Sequence, residues 1–344
     1  MTSLLEQEIA SQPGVIAQLL DRETERVRAI AAQLPPFEYA QIAARGTSDH
    51  AAIYATYIWA ALTGHSVALA TPSLHTLYHK PPRLANALVV GVSQSGQSPD
   101  IVAVLEEGRR QGRPTLAITN DGNSPLATAA DHVIELHAGP ERSIAATKTY
   151  TAQLTVMALL AAAWSGEPER LAELAQLPQA LASTLAGAIA LEPIAERYRG
   201  AEHIVVIGRG YNYATALELA LKLKELTYIM TNAYSAADFR HGPIATITEG
   251  MPVVLVMPEG AVMPDMVDLA NDLKTRGAEL LIVSNSATAN PLANALLPFA
   301  STLPEWLSPI AAIVPGQLLA LHLALARGSN PDRPRGLQKV TLTR

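Results

Sequence analysis

Cysteine is missing from this chain, and phenylalanine and tryptophan occur only three times each. The first absence excludes disulfides, thiolate metal sites and cysteine nucleophiles, and it fits a reducing cytosol. With aromatics at 5% and nearly half the residues apolar, Ala and Leu supply the bulk, a composition suited to helices packed closely on sheets. Positive charge is also scarce: the formal net charge is −6, which leaves no basic footprint for nucleic acid. The opening Thr2-Ser-Leu-Leu-Glu-Gln-Glu lacks the basic start and apolar core of a signal peptide. No uninterrupted apolar run is long enough for a membrane. The nearest, Pro309 to Ala326, is broken by Pro315, Gly316, Gln317 and His322, so a buried helix is expected there. The nine histidines form no ligand cluster, and no metal or cofactor is expected. His50, His65, His75 and His79 read as structural or surface residues.

What is present is written twice. Ile42-Ala-Ala-Arg-Gly-Thr-Ser-Asp-His-Ala-Ala returns as Val206-Ile-Gly-Arg-Gly-Tyr-Asn-Tyr-Ala-Thr-Ala. Pro99-Asp-Ile-Val, Arg110-Gln-Gly and Ile118-Thr-Asn are echoed by Pro264-Asp-Met-Val, Thr275-Arg-Gly and Val283-Ser-Asn. All these echoes share one offset of about 165 residues. Apolar runs alternate with helical stretches in both copies. Strands are expected near Tyr39–Ala43, Ala87–Val92, Thr115–Thr119 and His132–Leu136, then near His203–Gly208, Pro252–Met257, Glu279–Ser284 and Leu296–Phe299. That alternation predicts two α/β units, each a parallel sheet covered on both faces, with ligands at the carboxyl ends of the strands. The boundaries expected are a leading helix over 1–34, units over 35–166 and 201–328, a helical connector over 167–200, and a Pro-rich tail over 329–344.

The most informative loop runs from Gly91-Val-Ser-Gln-Ser-Gly-Gln-Ser98 into Pro99-Asp-Ile-Val, between an apolar strand and a helix start. It offers backbone N–H groups, a helix dipole and three hydroxyls to a small anion. The spacing imitates a nucleotide P-loop, but Gln97 stands where the lysine belongs, so a phosphate monoester suits it better than a triphosphate. Turn chemistry alone also explains such a loop. Gly-x-Ser-x-Ser misses the hydrolase elbow by one glycine. Gly208-Arg-Gly-Tyr-Asn-Tyr misses the dinucleotide fingerprint at Tyr213.

Arg45-Gly-Thr-Ser, Ser93-Gln-Ser-Gly, Ala145-Ala-Thr-Lys, Ala220-Leu-Lys-Leu-Lys-Glu, Arg240-His-Gly-Pro and Pro334-Arg-Gly-Leu-Gln-Lys occur in this order. Together they resemble the sugar isomerase (SIS) domain family over nearly the whole chain. The likeness is to the tandem isomerase half of glucosamine-6-phosphate synthases and to stand-alone glucosamine-6-phosphate deaminases of the SIS type. The resemblance implies an α/β fold of two tandem SIS domains, each a flavodoxin-like three-layer sandwich. It also implies a homodimer acting on a hexose or hexosamine 6-phosphate. By position it assigns the phosphate to Ser93, Gln94, Ser95 and Ser98, and the sugar to Thr47, Ser48 and the backbone at Ile144. Glu225 becomes the base between C1 and C2, with Lys222 beside it. His241 becomes the ring-opening group, contributed across the dimer interface, and Lys339 the group that meets the open-chain carbonyl, where in the synthases it can form a Schiff base.

Those residue types suit the chemistry: a carboxylate to move one proton, a histidine that titrates near neutrality, and a cation for the developing oxyanion. Without the family the readings are plainer. Glu218, Lys222 and Glu225 would be a solvated ion-pair stripe, His241 a loop residue beside a rigid turn, and Lys339 a surface lysine. The chain also departs from the synthase pattern. Ala146 replaces a serine, Arg45 a cysteine, and Asp238-Phe a Glu-Leu, and the glutaminase half with its cysteine is missing. The expected reaction is therefore glucosamine 6-phosphate plus water to fructose 6-phosphate plus ammonia. A related aminoisomerase or deglycase, or a non-catalytic sugar-phosphate sensor, is the alternative.

Overall fold

The computed structural model describes residues 2–188, 191–300 and 303–339, which divide into two compact units. The first unit holds Gly14–Glu141, Lys148–Ala175, Gln338 and Lys339. The second holds residues 2–13, Arg142–Thr147 and the described part of Gln176–Leu337.

The first unit is built on five parallel strands: β1 (Tyr39–Ala43), β2 (Ser66–Leu69), β3 (Ala87–Ser93), β4 (Thr115–Thr119) and β5 (His132–Glu135). Their order is β2-β1-β3-β4-β5. All seven residues of β3 and all five of β4 are buried, so a continuous apolar run is what the sheet centre requires. Gly91 in β3 has a packing reason. A Cβ there would lie 2.6 Å from Leu105 and 2.8 Å from Leu126, so its absence lets the helix Pro99–Arg110 settle close on the sheet. The helix Lys148–Ser165 is buried over most of its length, and Trp59 donates its indole N–H to the Met157 carbonyl at 2.9 Å.

The second unit repeats the plan with β6 (His203–Gly208), β7 (Met230–Ser235), β8 (Pro252–Val256), β9 (Glu279–Ser284) and β10 (Ala295–Pro298). These strands are again all parallel, in the order β7-β6-β8-β9-β10. The helix Ser308–Ala326 fills its core. Its extended window Glu305–Ala326 is long and apolar enough to cross a membrane, with mean hydropathy 1.7, yet 78% of it is buried in the fold. Gly316 faces Leu219, where a Cβ would come within 2.9 Å.

The eight expected strands are present, and β2 and β7 are added to them. Both additions are edge strands with largely exposed or half-buried residues, and neither shows the apolar run that marks a central strand. The single leading helix is instead two, Leu4–Ala10 and Gln12–Gln33, broken at Ser11. Pro13 has no N–H to continue the ladder across that point.

Candidate functional site

The two copies of the sheet share a switch point, between β1 and β3 in one and between β6 and β8 in the other, where crossovers leave in opposite directions. In the first unit Ala43 pairs with Gly91, so the segment Arg45–Ser48 and the serine loop leave adjacent strands at the same level. Within the loop, Ser93 Oγ accepts the Gly96 N–H at 3.1 Å and Ser95 Oγ accepts the Gln97 N–H at 3.3 Å. Gly96 adopts φ +63°, and a Cβ there would collide with Ser124, so this turn requires glycine. Ser98 stands at the N-cap of the helix Pro99–Arg110 but makes no capping hydrogen bond, which leaves its hydroxyl available beside the helix dipole. Ser48 is buried and accepts from the Gln153 amide at 2.9 Å, and Thr47 opens the same helix.

Beside the loop, Arg45 Nε donates to the carboxylate of Asp100 at 2.8 Å. Asp100 is fully buried, whereas Arg45 is about half exposed. Burial raises the carboxyl pKa of nearby Asp49, with His50 and Arg45 partly opposing the rise.

In the second unit the helix Tyr213–Thr227 carries Glu218, Lys222 and Glu225 on one face. Lys222 Nζ lies 3.3 Å from Glu218 Oε1 and 2.6 Å from Glu225 Oε2. Lys222 and Glu218 are buried, while the Glu225 side chain keeps 22% of its surface, so this is no solvated stripe. Burial opposes the lysine's charge, but the fields of Glu218 and then Glu225 more than offset it and hold its pKa above the usual lysine value. His241 is exposed, follows the helix Ala236–Arg240, and donates its backbone N–H to the Asp238 carbonyl at 3.1 Å. Ile144 lies in the segment Arg142–Thr147, which is tied down by Glu8. That carboxylate accepts the N–H groups of Arg142 and Ser143 and the Ser143 hydroxyl.

Lys339 is no loose surface lysine. Its Nζ donates to Glu141 Oε2 at 2.7 Å, within the first unit. The expected residues thus fall into two groups. Thr47, Ser48, Ser93, Gln94, Ser95, Ser98 and Lys339 belong to the first unit, and Ile144, Lys222, Glu225 and His241 to the second. Among the described residues no group of three or more His, Asp or Glu side chains has the geometry of a metal site.

The second sheet has a corresponding loop after β8, Pro258-Glu-Gly-Ala261, and it is filled differently. Ala261 donates its N–H to the Glu305 carboxylate at 2.8 Å, and Glu259 donates to the Asn285 side-chain oxygen at 2.7 Å. Asp265, the counterpart of Asp100, faces Arg209 Nε at 3.3 Å and Arg240 at 2.6 Å. Sequence reading singled out neither arginine–aspartate pair. The available signal was the repeat itself, which places an Arg and an Asp at matching positions in both copies. Glu8 and Glu141 left no such signal.

A duplicated, doubly wound α/β chain with a serine- and glycine-rich loop at one switch point defines the class. The SIS domain model matches residues 39–163 and 197–327, and the chain belongs to that family, with two SIS domains. It is 35% identical over 342 residues to a glutamine–fructose-6-phosphate aminotransferase (isomerizing) from Thermococcus kodakarensis, covering 96% of this chain and 56% of that protein. The chain therefore spans little more than half the length of this relative. Among solved structures, it matches a protein from Silicibacter pomeroyi DSS-3 that carries the provisional name phosphosugar isomerase. That match has a TM-score of 0.87, 32% identity and coverage of 96% and 100% of the two chains. The C-terminal domain of glucosamine-fructose-6-phosphate aminotransferase from Francisella tularensis matches with a TM-score of 0.88, 25% identity and coverage of 97% and 99%.

Proposed function

We propose that the chain is a phosphosugar isomerase acting on a hexosamine 6-phosphate, converting glucosamine 6-phosphate and water to fructose 6-phosphate and ammonia. The observation that carries the reading is the buried Glu218–Lys222–Glu225 trio, in which the Glu225 side chain stays partly accessible with Lys222 Nζ 2.6 Å from its Oε2. Burial imposes on an ion-pair cluster a desolvation cost that its mutual attraction need not offset, which favours a role for this one beyond stability. The serine loop supplies hydroxyls and a helix N-terminus for the phosphate, through Ser93, Gln94, Ser95 and Ser98. Thr47, Ser48 and the Ile144 backbone hold the sugar.

In this reading His241, contributed by the partner in a homodimer, opens the pyranose ring. Glu225 takes the C2 proton of the open-chain aldehyde and returns it to C1, while the C2 amine loses one proton and the C1 oxygen gains one, so that the amine becomes an imine and the aldehyde an alcohol. Water adds to that imine and ammonia leaves, giving the ketone. The Lys222 and Lys339 cations favour the negative charge that develops on oxygen between the two proton transfers. The relatives are named as isomerizing aminotransferases of fructose 6-phosphate, which supports a reaction linking an amino group with that sugar phosphate. Incubating the purified chain with glucosamine 6-phosphate while following both ammonia and fructose 6-phosphate tests the reading. Equimolar release of both supports it. Saturable binding with neither product overturns it in favour of a sensor.

A further inference from the structure

Glu141 has a completely buried side chain. Its Oε1 accepts the Thr149 N–H at 3.2 Å, and its Oε2 accepts the Thr149 hydroxyl at 2.8 Å. Thr149 lies in the first turn of the helix Lys148–Ser165, whose dipole favours a carboxylate there. The lysine nearest in sequence, Lys148, donates elsewhere, to the Pro140 carbonyl at 2.8 Å. A countercharge comes from Lys339, 198 positions away in the chain, whose Nζ is 2.7 Å from Glu141 Oε2 and about three-quarters buried. Neutral donors can orient a buried carboxylate but do not balance its charge, so the pair is costly to separate. Two rigid bonds from a helix start thus fix the carboxylate, and the carboxylate fixes the lysine.

We propose that Glu141 is the positioning residue of the tail lysine: it docks Lys339 and sets where its Nζ stands during turnover. This rests on the reading of Lys339 as the lysine that meets the open-chain carbonyl. Glu141 itself touches no reacting atom in this scheme and acts only through Lys339.

The test compares Glu141→Gln, Lys339→Met and the double variant in two assays. The first is ammonia release from glucosamine 6-phosphate, and the second is tryptic cleavage after Arg335, which reads tail docking without any turnover. Glu141→Gln is expected to lower kcat by about 10- to 100-fold with KM nearly unchanged, the scale set by a cation displaced by about 1 Å. It is also expected to speed cleavage as much as Lys339→Met does. The double variant should be no worse than Lys339→Met in either assay, because both changes remove one unit, and Glu141→Asp should recover part of kcat. Wild-type kcat in Glu141→Gln overturns the proposal, and so do effects that add in the double variant. If the wild type releases no ammonia, the isomerase reading fails and cleavage alone judges the dock: matched acceleration by the two single variants upholds it, and unchanged cleavage in Glu141→Gln overturns it.

Discussion

The two switch-point loops of this chain start from one plan and end in opposite electrostatic states. Each follows the third strand of its sheet, leads to a helix with Pro-Asp in its first turn, and sets that aspartate against an arginine just beyond the first strand. The first loop keeps its hydroxyls, and Ser98 caps nothing. The second has Pro258, Gly260 and Met263 in place of the three serines, and its Ala261 N–H is taken by the chain's own Glu305. A duplicated sheet edge is therefore not a duplicated binding site. Helix dipole and backbone geometry come with the fold, while a few side chains decide whether an anion from solution or an internal carboxylate uses them.

The most severe break in this asymmetry comes from removing the accessible carboxylate. Glu225→Gln is expected to lower ammonia release by roughly 10²- to 10⁴-fold while glucosamine 6-phosphate binding by calorimetry stays within a few-fold, the pattern of a lost general base. Strong residual turnover removes Glu225 from the mechanism. Converting the first loop toward the second is the next step. Ser98→Glu places a carboxylate at the free N-cap and is expected to weaken sugar-phosphate affinity by about 100-fold or more through like-charge repulsion. Calorimetry reads the loss, and unchanged affinity means that the phosphate is held elsewhere.

The paired arginines sharpen the comparison in terms of stability. Arg45→Ala leaves Asp100 buried without its cation and is expected to cost about 2 kcal/mol. That is less than for a fully buried pair, because Arg45 is itself half exposed. Arg209→Ala should cost less than about 1 kcal/mol, since Arg240 still holds Asp265 at 2.6 Å. Urea midpoints of the two variants check the order, and equal losses show that the second arginine contributes nothing.

A smaller effect is expected from acid. Burial holds the pKa values of His65 and His75 below the ordinary histidine value of 6.5, with Glu107 partly opposing the shift at His75, and both residues lie in the first unit. Between 6.5 and those lowered values the unfolded chain binds more protons, so their contribution to stability is intact above 6.5 and is lost as the pH falls below it. In the second unit, Glu279 has a lowered pKa through the neighbouring Tyr198 hydroxyl, despite some burial and with help from Arg197, which donates to it at 2.9 Å. Its contribution persists down to the ordinary glutamate value of 4.5 and is lost below it. Hydrogen exchange at pH 5.5 against 7.5 should therefore loosen the first unit more than the second. His65→Phe, which keeps the stack on Phe37 and Trp164, should reduce the difference.

Much of this fold was readable because central parallel strands must be apolar on both faces, as β3 and β4 are throughout. The edge strands β2 and β7 gave no such mark: Ser-Val-Ala-Leu is short and exposed, and Met-Thr-Asn-Ala-Tyr-Ser is mixed. The serine loop could be read from its chemistry alone. The acidic helix face could not, since i, i+3 and i+4 spacing is the same for a buried trio and a solvated stripe, and only burial separates them. Glu141 was invisible for another reason. Its meaning depends on a lysine 198 positions away, and no local pattern reaches that far.

The Glu305 contact makes the second sheet its own permanent ligand. A small oxyanion that fills the serine loop stabilises the first unit by mass action, while the second, already saturated from within, gains nothing from the same solute. On the proposed reading, phosphate or sulfate in the buffer is expected to change the balance of melting between the halves of one polypeptide, and a heat-capacity trace recorded with and without such a salt checks it.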